Sequence, residues 1–379
     1  MINRQRLLEL TKKLISIDSQ NPPGNEAAIA RFTGEYFSLL GASVRYFEPV
    51  RGRVSVIAEI KGRDKRKLLL TPHLDTVPAG RNWKHAPLKP VIEKGRLYGL
   101  GATDCKCNLA CGMEALTSLH ESGVALPFTI VFAATADEES GSVLGLEPLL
   151  KRGMLDVDAA VVLDADGFDI VVAQKGLFHV KVTVKGTRAH GAYPWRGTNA
   201  IDCAMEALAR LKKRREHHAR NKYLRPATMN IGTIRGGDKV NIVADWCEFE
   251  LDYRFLPGTT EKGFLADLKK ALAGSCAKGY EIELNGVQQP YSISEKDPLV
   301  VGLAAAMRRC ARPVRLRGSE GATVISFFQQ RGIPSVATGF GTAGCEHLAD
   351  EYVEVKNLFS GARVVEEFLK GFSFANTKR

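Results

Sequence analysis

The chain has 379 residues, of which 45% are hydrophobic and 25% are charged. A chain of this length exceeds what one hydrophobic core usually serves, so we expect two domains. The composition is that of a globular protein, and the longest apolar stretches, of about ten residues, are well short of the roughly 20 residues that a membrane-spanning helix needs. These properties exclude a disordered chain and a helical membrane protein.

The formal net charge is +11, and much of the excess lies in the basic run RLKKRREHHARNK at residues 210–222. Such a run is typical of a solvated helix end or loop. No zinc finger and no motif of stacking aromatic residues accompanies it. We therefore expect no nucleic-acid partner, and binding of the basic run to nucleic acid stays an alternative reading.

The N-terminal segment and the cysteines bear on the cellular compartment. Residues 2–17 alternate charge with Leu and Ile and lack the uninterrupted apolar stretch of a signal peptide. The eight cysteines are spread through the chain without the pattern of a small disulfide scaffold, which fits a reducing compartment. We expect a cytoplasmic protein with no membrane partner.

Strands and helices alternate through the first half of the chain. The pattern predicts helices at residues 2–17, from Gly24 onward, and at 108–123, where Gly123 ends the last of them. Buried strands are predicted for the apolar runs at residues 54–60, 67–75, 128–136 and 159–166. Short apolar runs that alternate with helices predict an α/β fold, with a mixed sheet flanked by helices.

The pattern changes after Gln174. The order is then a strand of alternating apolar and polar residues, a helix, two strands, a helix and a strand. These elements are predicted at residues 177–186, 198–214, 228–237, 246–257, 260–278 and 280–287. The order β-α-β-β-α-β predicts a ferredoxin-like α+β domain inserted into the larger one. The predicted boundaries are 1–175 and 290–379 for the catalytic domain and 176–289 for the inserted lid domain.

Polar side chains follow the predicted strands at their carboxyl ends, where functional groups of open α/β sheets collect. A further cluster, CEHLADEY, lies near the C-terminus. The residues in these positions are His73, Asp75, Asp104, Asp137, Glu138, Glu139, Asp164 and His347. Any one of them alone is more often structural or solvated. Together, imidazole and carboxylate groups suit zinc, cobalt or manganese.

Charge balance favours two metal ions. Two divalent cations carry four positive charges, which Asp104, Glu139, Asp164 and a bridging hydroxide would offset, so that a partly buried site becomes neutral. Neighbouring side chains at a strand end point in different directions. Glu139 would therefore turn to a metal while Glu138 stays free as a general base that accepts the proton of the attacking water.

Six motifs, LLLTPHLDTVPAG, GLGATDCKCNLA, TADEESG, GTRAHGAYPWRGTNA, GGDKVNIVADWCEFELDYRFLPG and HLADEYV, resemble the dinuclear zinc amidohydrolase and metallopeptidase family. That family includes acetylornithine deacetylase, succinyl-diaminopimelate desuccinylase, aminoacylase and glutamate carboxypeptidase. The resemblance covers essentially the whole chain. It implies a catalytic domain with an inserted lid domain and a homodimer formed through the lid.

The resemblance also implies a ligand set for two metal ions, most often zinc, with cobalt or manganese as alternatives. His73 and Asp164 would hold one ion, and Glu139 and His347 would hold the other. Asp104 would bridge the two ions. Asp75 would hydrogen-bond His73 and fix its tautomer, and Glu138 would be the base.

Three further residues take roles from the resemblance. His190 resembles the lid histidine that stabilises the tetrahedral oxyanion, and the alternative is a plain surface histidine. Asn241 and Arg254 resemble lid residues that orient the substrate, Arg254 by gripping a carboxylate through two parallel hydrogen bonds. The alternatives are that Asn241 only shapes a turn and that Arg254 only pairs with Asp252.

Two departures from the family pattern stand out. Cys105, Cys107 and Cys111 form a C-x-C-x-x-x-C cluster beside the expected metal centre, which leaves a thiolate metal site or redox control as an alternative to simple packing. The segment GSEGATVISFF lacks the aspartate common in a loop that helps to form the substrate pocket, and Glu320 or Gly321 falls there instead. This departure puts the acyl-amino-acid specificity in question.

The sequence therefore predicts metal-dependent hydrolysis of the amide bond in N-acyl amino acids, of the deacetylase or desuccinylase type. An exopeptidase, either a carboxypeptidase or a dipeptidase, would use the same site. From another class, a metal-binding protein without catalysis remains open. The expected partners are a small N-acyl amino acid or short peptide and a second copy of the chain.

Overall fold

The computed structural model of the protein describes residues 1–164, 167–213, 220–321 and 323–374. Residues 214–219 of the basic run at 210–222 lie outside these residues. The chain folds into two units. Unit 1 comprises Met1–Val172, Ile293–Arg317 and Thr323–Arg379, and unit 2 comprises Ala173–Ser292 and Gly318–Ala322. The segment Gly318–Ala322 thus groups with the inserted unit, whereas the sequence prediction assigned every residue from 290 onward to the catalytic domain.

The described residues form helices and strands with the following bounds. The helices are α1 Arg4–Ser16, α2 Ala27–Leu39, α3 Lys106–Glu121, α4 Leu146–Lys151, α5 Ala200–Lys212, α6 Glu261–Ala273, α7 Pro298–Arg309, α8 Ile325–Gln329 and α9 Val355–Gly371. The strands are β1 Ser43–Phe47, β2 Ser55–Ile60, β3 Asp64–Thr71, β4 Val91–Glu93, β5 Arg96–Tyr98, β6 Phe128–Ala134, β7 Ala159–Leu163, β8 Asp169–Gln174, β9 Gly176–Lys185, β10 Ala189–His190, β11 Thr228–Gly236, β12 Ile242–Val243, β13 Trp246–Phe255, β14 Gly279–Gln288, β15 Tyr291–Ser292, β16 Arg315–Ser319, β17 Ser335–Thr338 and β18 Tyr352–Glu354.

The main sheet of unit 1 is mixed, which confirms the predicted fold class. Its strands lie in the order β1-β2-β6-β3-β7-β17-β8. The central pairs β6–β3, β3–β7 and β7–β17 are parallel, and the outer pairs β1–β2, β2–β6 and β17–β8 are antiparallel. Helix α2 packs on β1 and β2, and α3 packs against α1 and α9. The carboxyl ends of the parallel strands therefore meet at one edge, as the sequence argument requires.

Local sequence explains the elements that carry the site. Strand β6, with the sequence FTIVFAA, is buried along its whole length, which is why it reads as a continuous apolar run. Helix α3 is also buried from Lys106 to Leu119, and it ends before Gly123, whose φ of +62° lies in the left-handed region. Helix α1 begins after Asn3, whose side chain accepts the backbone N–H of Arg6 at 3.0 Å.

Unit 2 contains a four-stranded antiparallel sheet in the order β11-β13-β9-β14. In chain order its elements are β9, α5, β11, β13, α6 and β14, which is the predicted ferredoxin-like arrangement. Every second residue of β9, from Phe178 to Val184, packs with α5 and α6 into one core. The sheet is thus buried on one side, which produces the alternating pattern of the sequence.

One expectation about the cysteines needs correction. The eight cysteines show no disulfide pattern in sequence, yet the structure pairs Cys203 with Cys276, whose Cα atoms are 5.0 Å apart. The packing of α5 against α6 brings together two residues that are 73 positions apart. Sequence spacing does not reveal such a pair. Among the described residues, no helix is both long and apolar enough to cross a membrane.

Candidate metal centre

His73 lies just beyond β3, where the chain still pairs with Thr135 of the neighbouring segment. Its side chain is buried, and its Nε2 atom lies 2.9 Å from Asp104 Oδ1 and 3.4 Å from Asp164 Oδ1. Its Nδ1 atom lies 2.9 Å from the backbone oxygen of Asp75. A carbonyl oxygen only accepts, so Nδ1 carries the proton. In the neutral ring the lone pair of Nε2 then faces the two carboxylates, as a metal ligand requires.

Asp104 joins His73 to a second group. Its other carboxylate oxygen, Oδ2, lies 3.2 Å from His347 Nε2. The same nitrogen of His347 lies 3.2 Å from Glu139 Oε2. His347 comes from a loop more than 200 residues further along the chain than Asp104, and its backbone has a φ of +60°. This left-handed conformation is uncommon for a residue other than glycine.

The described residues contain two groups that offer three or more ligand atoms within 4.8 Å of one another. One group is His73, Asp104, Cys105 and Asp164, and the other is Asp104, Glu139 and His347. The five residues that the sequence assigned to metal ions all lie in these groups, and Asp104 belongs to both. A second observation also indicates that these ligand atoms suit a cation. Glu139 Oε1 is buried and has no hydrogen-bond partner among the described residues.

The pKa shifts in the two groups reflect an excess of negative charge. Hydrogen bonds to Asp104 and Glu139 raise the pKa of His347 to about 10. Burial alone would raise the pKa of Asp104, but its hydrogen bonds with His347 and His73 outweigh burial and lower it well below the ordinary value. The centre thus draws positive charge towards itself. A divalent cation offsets such a group of carboxylates more strongly than a proton on an imidazole.

Asp75 organises the turn that carries Glu138 and Glu139. The backbone N–H groups of these two residues donate to the two oxygens of Asp75, both at 3.1 Å, and Asn21 Nδ2 donates to Oδ2 at 2.9 Å. The carboxylate lies 3.6 Å from His73 Nδ1, farther than the backbone oxygen of Asp75 itself. The direct contact that orients His73 therefore comes from the main chain of Asp75, whereas the sequence argument placed it on the side chain.

Glu138 and Glu139 differ in their surroundings, although they are adjacent. Glu139 reaches His347 through Oε2. Burial raises the pKa of Glu138 well above its ordinary value, and the negative charge of nearby Asp164 raises it further. A carboxyl group with a raised pKa beside a cluster of metal-ligand type is suited to exchanging protons during a reaction.

Comparison with known proteins identifies the family. A family model described as "Peptidase family M20/M25/M40" matches residues 69–371. The chain belongs to peptidase family M20/M25/M40. Members of this family are metal-dependent amidohydrolases, and this protein is an enzyme of that kind.

Relatives of this M20/M25/M40 enzyme include both deacetylases and peptidases. The chain is 28% identical to acetylornithine deacetylase of Proteus mirabilis, over 99% of this chain and 97% of the relative. Aminopeptidase PepT from Bacillus cereus matches with a TM-score of 0.83 and 26% identity, over 98% of this chain and 99% of that chain. A tripeptidase from Staphylococcus aureus matches with a TM-score of 0.81 and 28% identity, over 98% of both chains.

The three clustered cysteines of this M20/M25/M40 enzyme do not share a site. Cys107 Sγ donates to the backbone oxygen of Thr103 at 3.1 Å, and Cys111 Sγ donates to that of Leu358 at 3.4 Å. Only Cys105 belongs to a group of metal-ligand type in the described residues. Burial raises the pKa of its thiol to about 12. The three side chains therefore have different partners and form no common site among the described residues, while a thiolate metal site or redox control at Cys105 stays an alternative.

The other predicted site residues lie in unit 2. The backbone N–H of Gly191, next to His190, donates to the backbone oxygen of Asn241 at 2.8 Å, so these two loops are neighbours. His190 is exposed, and its Nδ1 accepts the backbone N–H of Ala192 at 3.0 Å. Arg254 donates to Asp252 twice, at 2.7 and 3.0 Å. The pairing of Arg254 with Asp252 is the alternative that the sequence left open.

Glu320 or Gly321 falls where the resemblance implies an aspartate, and the structure gives the carboxylate of Glu320 local partners. It lies 2.5 Å from the buried Lys175 Nζ and accepts the backbone N–H of Arg225 at 2.9 Å. All three residues belong to unit 2. These contacts hold Glu320 within that unit.

Sequence reasoning misses two charged residues that support the centre. Arg53 donates to Glu26 at 2.8 and 2.9 Å and to Asp137 at 2.7 Å, so it supplies the positive charge beside the three adjacent carboxylates 137–139. Glu351, four residues after His347, bonds to the turn that carries Asp104. Arg53 does not follow a predicted strand, and Glu351 lies in the cluster CEHLADEY, where the sequence assigned a ligand role to His347 alone.

Proposed function

We propose that the protein hydrolyses the amide bond of N-acyl amino acids, using two metal ions and a water activated between them. One observation carries the proposal. One carboxylate oxygen of Asp104 contacts His73 and the other contacts His347, so a single side chain joins two groups of metal-ligand type. A bridging carboxylate between two such groups is the arrangement of two-metal hydrolytic sites.

The proposed ligands are His73 and Asp164 for one ion, Glu139 and His347 for the other, and Asp104 for both. Nitrogen and oxygen donors of this kind suit zinc, with cobalt or manganese as alternatives. When bound, the ions would polarise the scissile carbonyl group and lower the pKa of a water molecule towards 7.

Glu138 is the proposed general base. Its backbone N–H donates to Asp75, which fixes the main chain from which the side chain extends. The carboxylate would accept the proton of the attacking water and pass it to the leaving nitrogen. Its raised pKa supports this role, because a proton taken up at ordinary pH is then held long enough to be transferred.

The proposed substrate contacts lie in unit 2. His190 would stabilise the oxyanion that forms as water adds to the carbonyl group, and Asn241 would orient the substrate beside it. The neighbouring loops of these residues support a joint role. Arg254 would bind the free carboxylate of the substrate only after giving up part of its double contact with Asp252. We further propose a cytoplasmic homodimer formed through unit 2.

Replacement of Glu138 by Gln tests the base directly. We expect Glu138→Gln to retain both metal ions and to lower kcat by two or more orders of magnitude, because the amide cannot accept the proton. Metal content by mass spectrometry and initial rates of hydrolysis measure the two quantities. Glu346→Gln is the matched control, since Glu346 is half-buried beside His347 and accepts the backbone N–H of Gly344 at 2.7 Å. Wild-type turnover of the Glu138 variant would show that another group is the base.

An exopeptidase is the second candidate, and the likeness to solved structures of an aminopeptidase and a tripeptidase favours it. The same site would serve both reactions, so substrates must separate them. N-acetyl, N-succinyl and N-formyl amino acids should be compared with dipeptides and tripeptides, with zinc, cobalt or manganese added. We expect the highest kcat/KM for an N-acyl amino acid. A preference for peptides with a free amino group would favour the second candidate.

A further inference from the structure

Two loops that carry proposed metal ligands are tied together in unit 1. Strand β5, before the turn with Asp104, pairs with β18, after the loop with His347. The backbone N–H of Gly99 donates to the backbone oxygen of Glu351 at 3.0 Å, and Thr103 Oγ1 donates to that of Tyr352 at 2.6 Å. The turn at residues 99–104 therefore rests on the segment that follows His347.

The side chain of Glu351 accepts three hydrogen bonds at this junction. Oε2 accepts the backbone N–H of Gly101 at 2.8 Å, and Oε1 accepts those of Thr103 at 2.7 Å and Asp104 at 2.9 Å. Glu351 is 2% exposed. Three N–H groups of one turn converge on one buried carboxylate, so the backbone of the turn has little freedom to move.

The contact reaches the bridging ligand itself. The third N–H group belongs to Asp104, whose side-chain oxygens meet His73 and His347. Lys106, two residues further, is the first residue of α3, and its buried ammonium group donates to the backbone oxygen of Ile17 at 2.8 Å. The ammonium charge and the Glu351 carboxylate attract each other, which offsets part of the cost of burying both.

We propose that Glu351 is a positioning residue that sets the Asp104 carboxylate between the two metal ions. The inference rests on the proposed function, because it takes Asp104 as the shared ligand. Glu351 belongs to neither group of ligand atoms found in the described residues and acts through the backbone of Asp104. The segment 347–351 thus supplies one metal ligand and the anchor of another, which couples the two halves of the centre.

Replacement by Gln tests the inference. In Glu351→Gln, the amide NH2 group faces at least one backbone N–H, so the turn loses a hydrogen bond and gains a repulsion between donors. We expect the affinity for Co²⁺ to fall tenfold or more for at least one of the two ions. We also expect the magnetic coupling between two bound Co²⁺ ions to weaken in electron paramagnetic resonance, because the bridging carboxylate shifts.

Asp350→Asn is the matched control. Asp350 is the neighbouring carboxylate, and it also accepts two backbone N–H groups, those of Lys84 and His85, both at 2.9 Å, but none from the turn of Asp104. We expect this variant to bind two Co²⁺ ions with an affinity within threefold of wild type and with unchanged coupling. If Asp350→Asn loses as much Co²⁺ affinity or coupling as Glu351→Gln, then Glu351 has only a general structural role and the inference is overturned.

A second variant with a shorter carboxylate, Glu351→Asp, and a check that the metal-free variants are folded complete the experiment. Glu351→Asp cannot reach all three N–H groups and should also bind Co²⁺ more weakly, so it decides the question if Glu351→Gln does not fold. Circular dichroism of the metal-free variants shows whether they are folded. If the wild type itself fails to bind two ions, the proposed function is wrong. If the wild type binds two ions and both Glu351 variants match it in affinity and coupling, only the present inference is wrong.

Discussion

Three adjacent carboxylates at the end of β6 have three different surroundings. Asp137 is paired with Arg53, Glu139 meets His347, and Glu138 is half-buried without an opposite charge bonded to it in the described residues. The φ of +69° at Asp137 lets the chain turn so that neighbouring side chains separate. The sequence predicted that Glu138 and Glu139 divide their roles. It could not predict the partner of Asp137, because Arg53 lies 84 residues away in a loop.

Replacement of Arg53 by Met should strongly destabilise unit 1. The side chain of Arg53 is 10% exposed, and those of Glu26 and Asp137 are 0% and 5% exposed. Removal of the guanidinium group leaves two buried carboxylates without their cation, which costs about 3–5 kcal/mol in the free energy of unfolding. Guanidinium chloride unfolding, followed by circular dichroism, measures the loss.

Lys151→Met is the control for that variant. Lys151 pairs with Glu147 on the surface of α4, where its side chain is 62% exposed. An exposed pair of this kind contributes about 0–1 kcal/mol. If Arg53→Met lowers the free energy of unfolding no more than Lys151→Met does, the carboxylates of Glu26 and Asp137 become neutral or solvated when Arg53 is absent.

Longer elements follow from the sequence because each has a periodic pattern of its own. The predicted helix at 2–17 is observed at Arg4–Ser16, and the predicted strand at 246–257 is observed at Trp246–Phe255. The short strands β4, β5 and β18 have three residues each, too few for a pattern to show, and they form a separate sheet. That small sheet ties the two ligand loops together, so the sequence yields the ligands but not the junction between them.

Helices α5 and α6 illustrate a contact that only the fold creates, and it yields a prediction. Cys203 on α5 is joined to Cys276 beyond α6. Of the eight cysteines, two are thus bonded, so titration of the oxidised, unfolded chain should find six thiols. In Cys276→Ser, seven thiols should be found, and the free energy of unfolding of unit 2 should fall by about 2–5 kcal/mol, because the unfolded chain regains the freedom of a long loop.

Cys310→Ser is the control, because Cys310 is a free, half-buried cysteine of unit 1. This variant should show five thiols and an unchanged stability of unit 2. Eight thiols in the wild-type chain, purified without reductant, would mean that the two cysteines stay reduced, as the sequence argument on the compartment expected.

At the scale of the whole molecule, the centre is assembled from segments on both sides of an insertion. Ligands from residues 73–164 meet His347 only because Ile293–Arg317 and Thr323–Arg379 return to unit 1. The rule that polar groups collect at the ends of parallel strands predicts His73, Glu139 and Asp164. Asp104 follows β5 of the small antiparallel sheet and His347 lies in the cluster CEHLADEY, so the rule does not cover these two. It gives no distances, so it could not show that Asp104 alone joins both groups. The residues proposed for substrate contacts belong to unit 2, and their sequence pattern does not define the acyl group.

This division of roles predicts where bound metal changes the dynamics of the chain. All five proposed ligands belong to unit 1, so metal ions would bind the native form of that unit and not its unfolded form. At a metal concentration of 100 times Kd, one site contributes about 2.7 kcal/mol of stabilisation. Hydrogen exchange followed by mass spectrometry should therefore slow after zinc is added to the metal-free protein. The slowing should occur in peptides that cover residues 99–104 and 342–351, whereas peptides from β9 and β13 should exchange as before.

In Asp104→Asn, which lacks the shared carboxylate charge, the same addition should produce a much smaller slowing in unit 1. Equal slowing in both units of the wild type would instead mean that the ions bind to both units or that the two units open together, and the assignment of the centre to unit 1 alone would not hold.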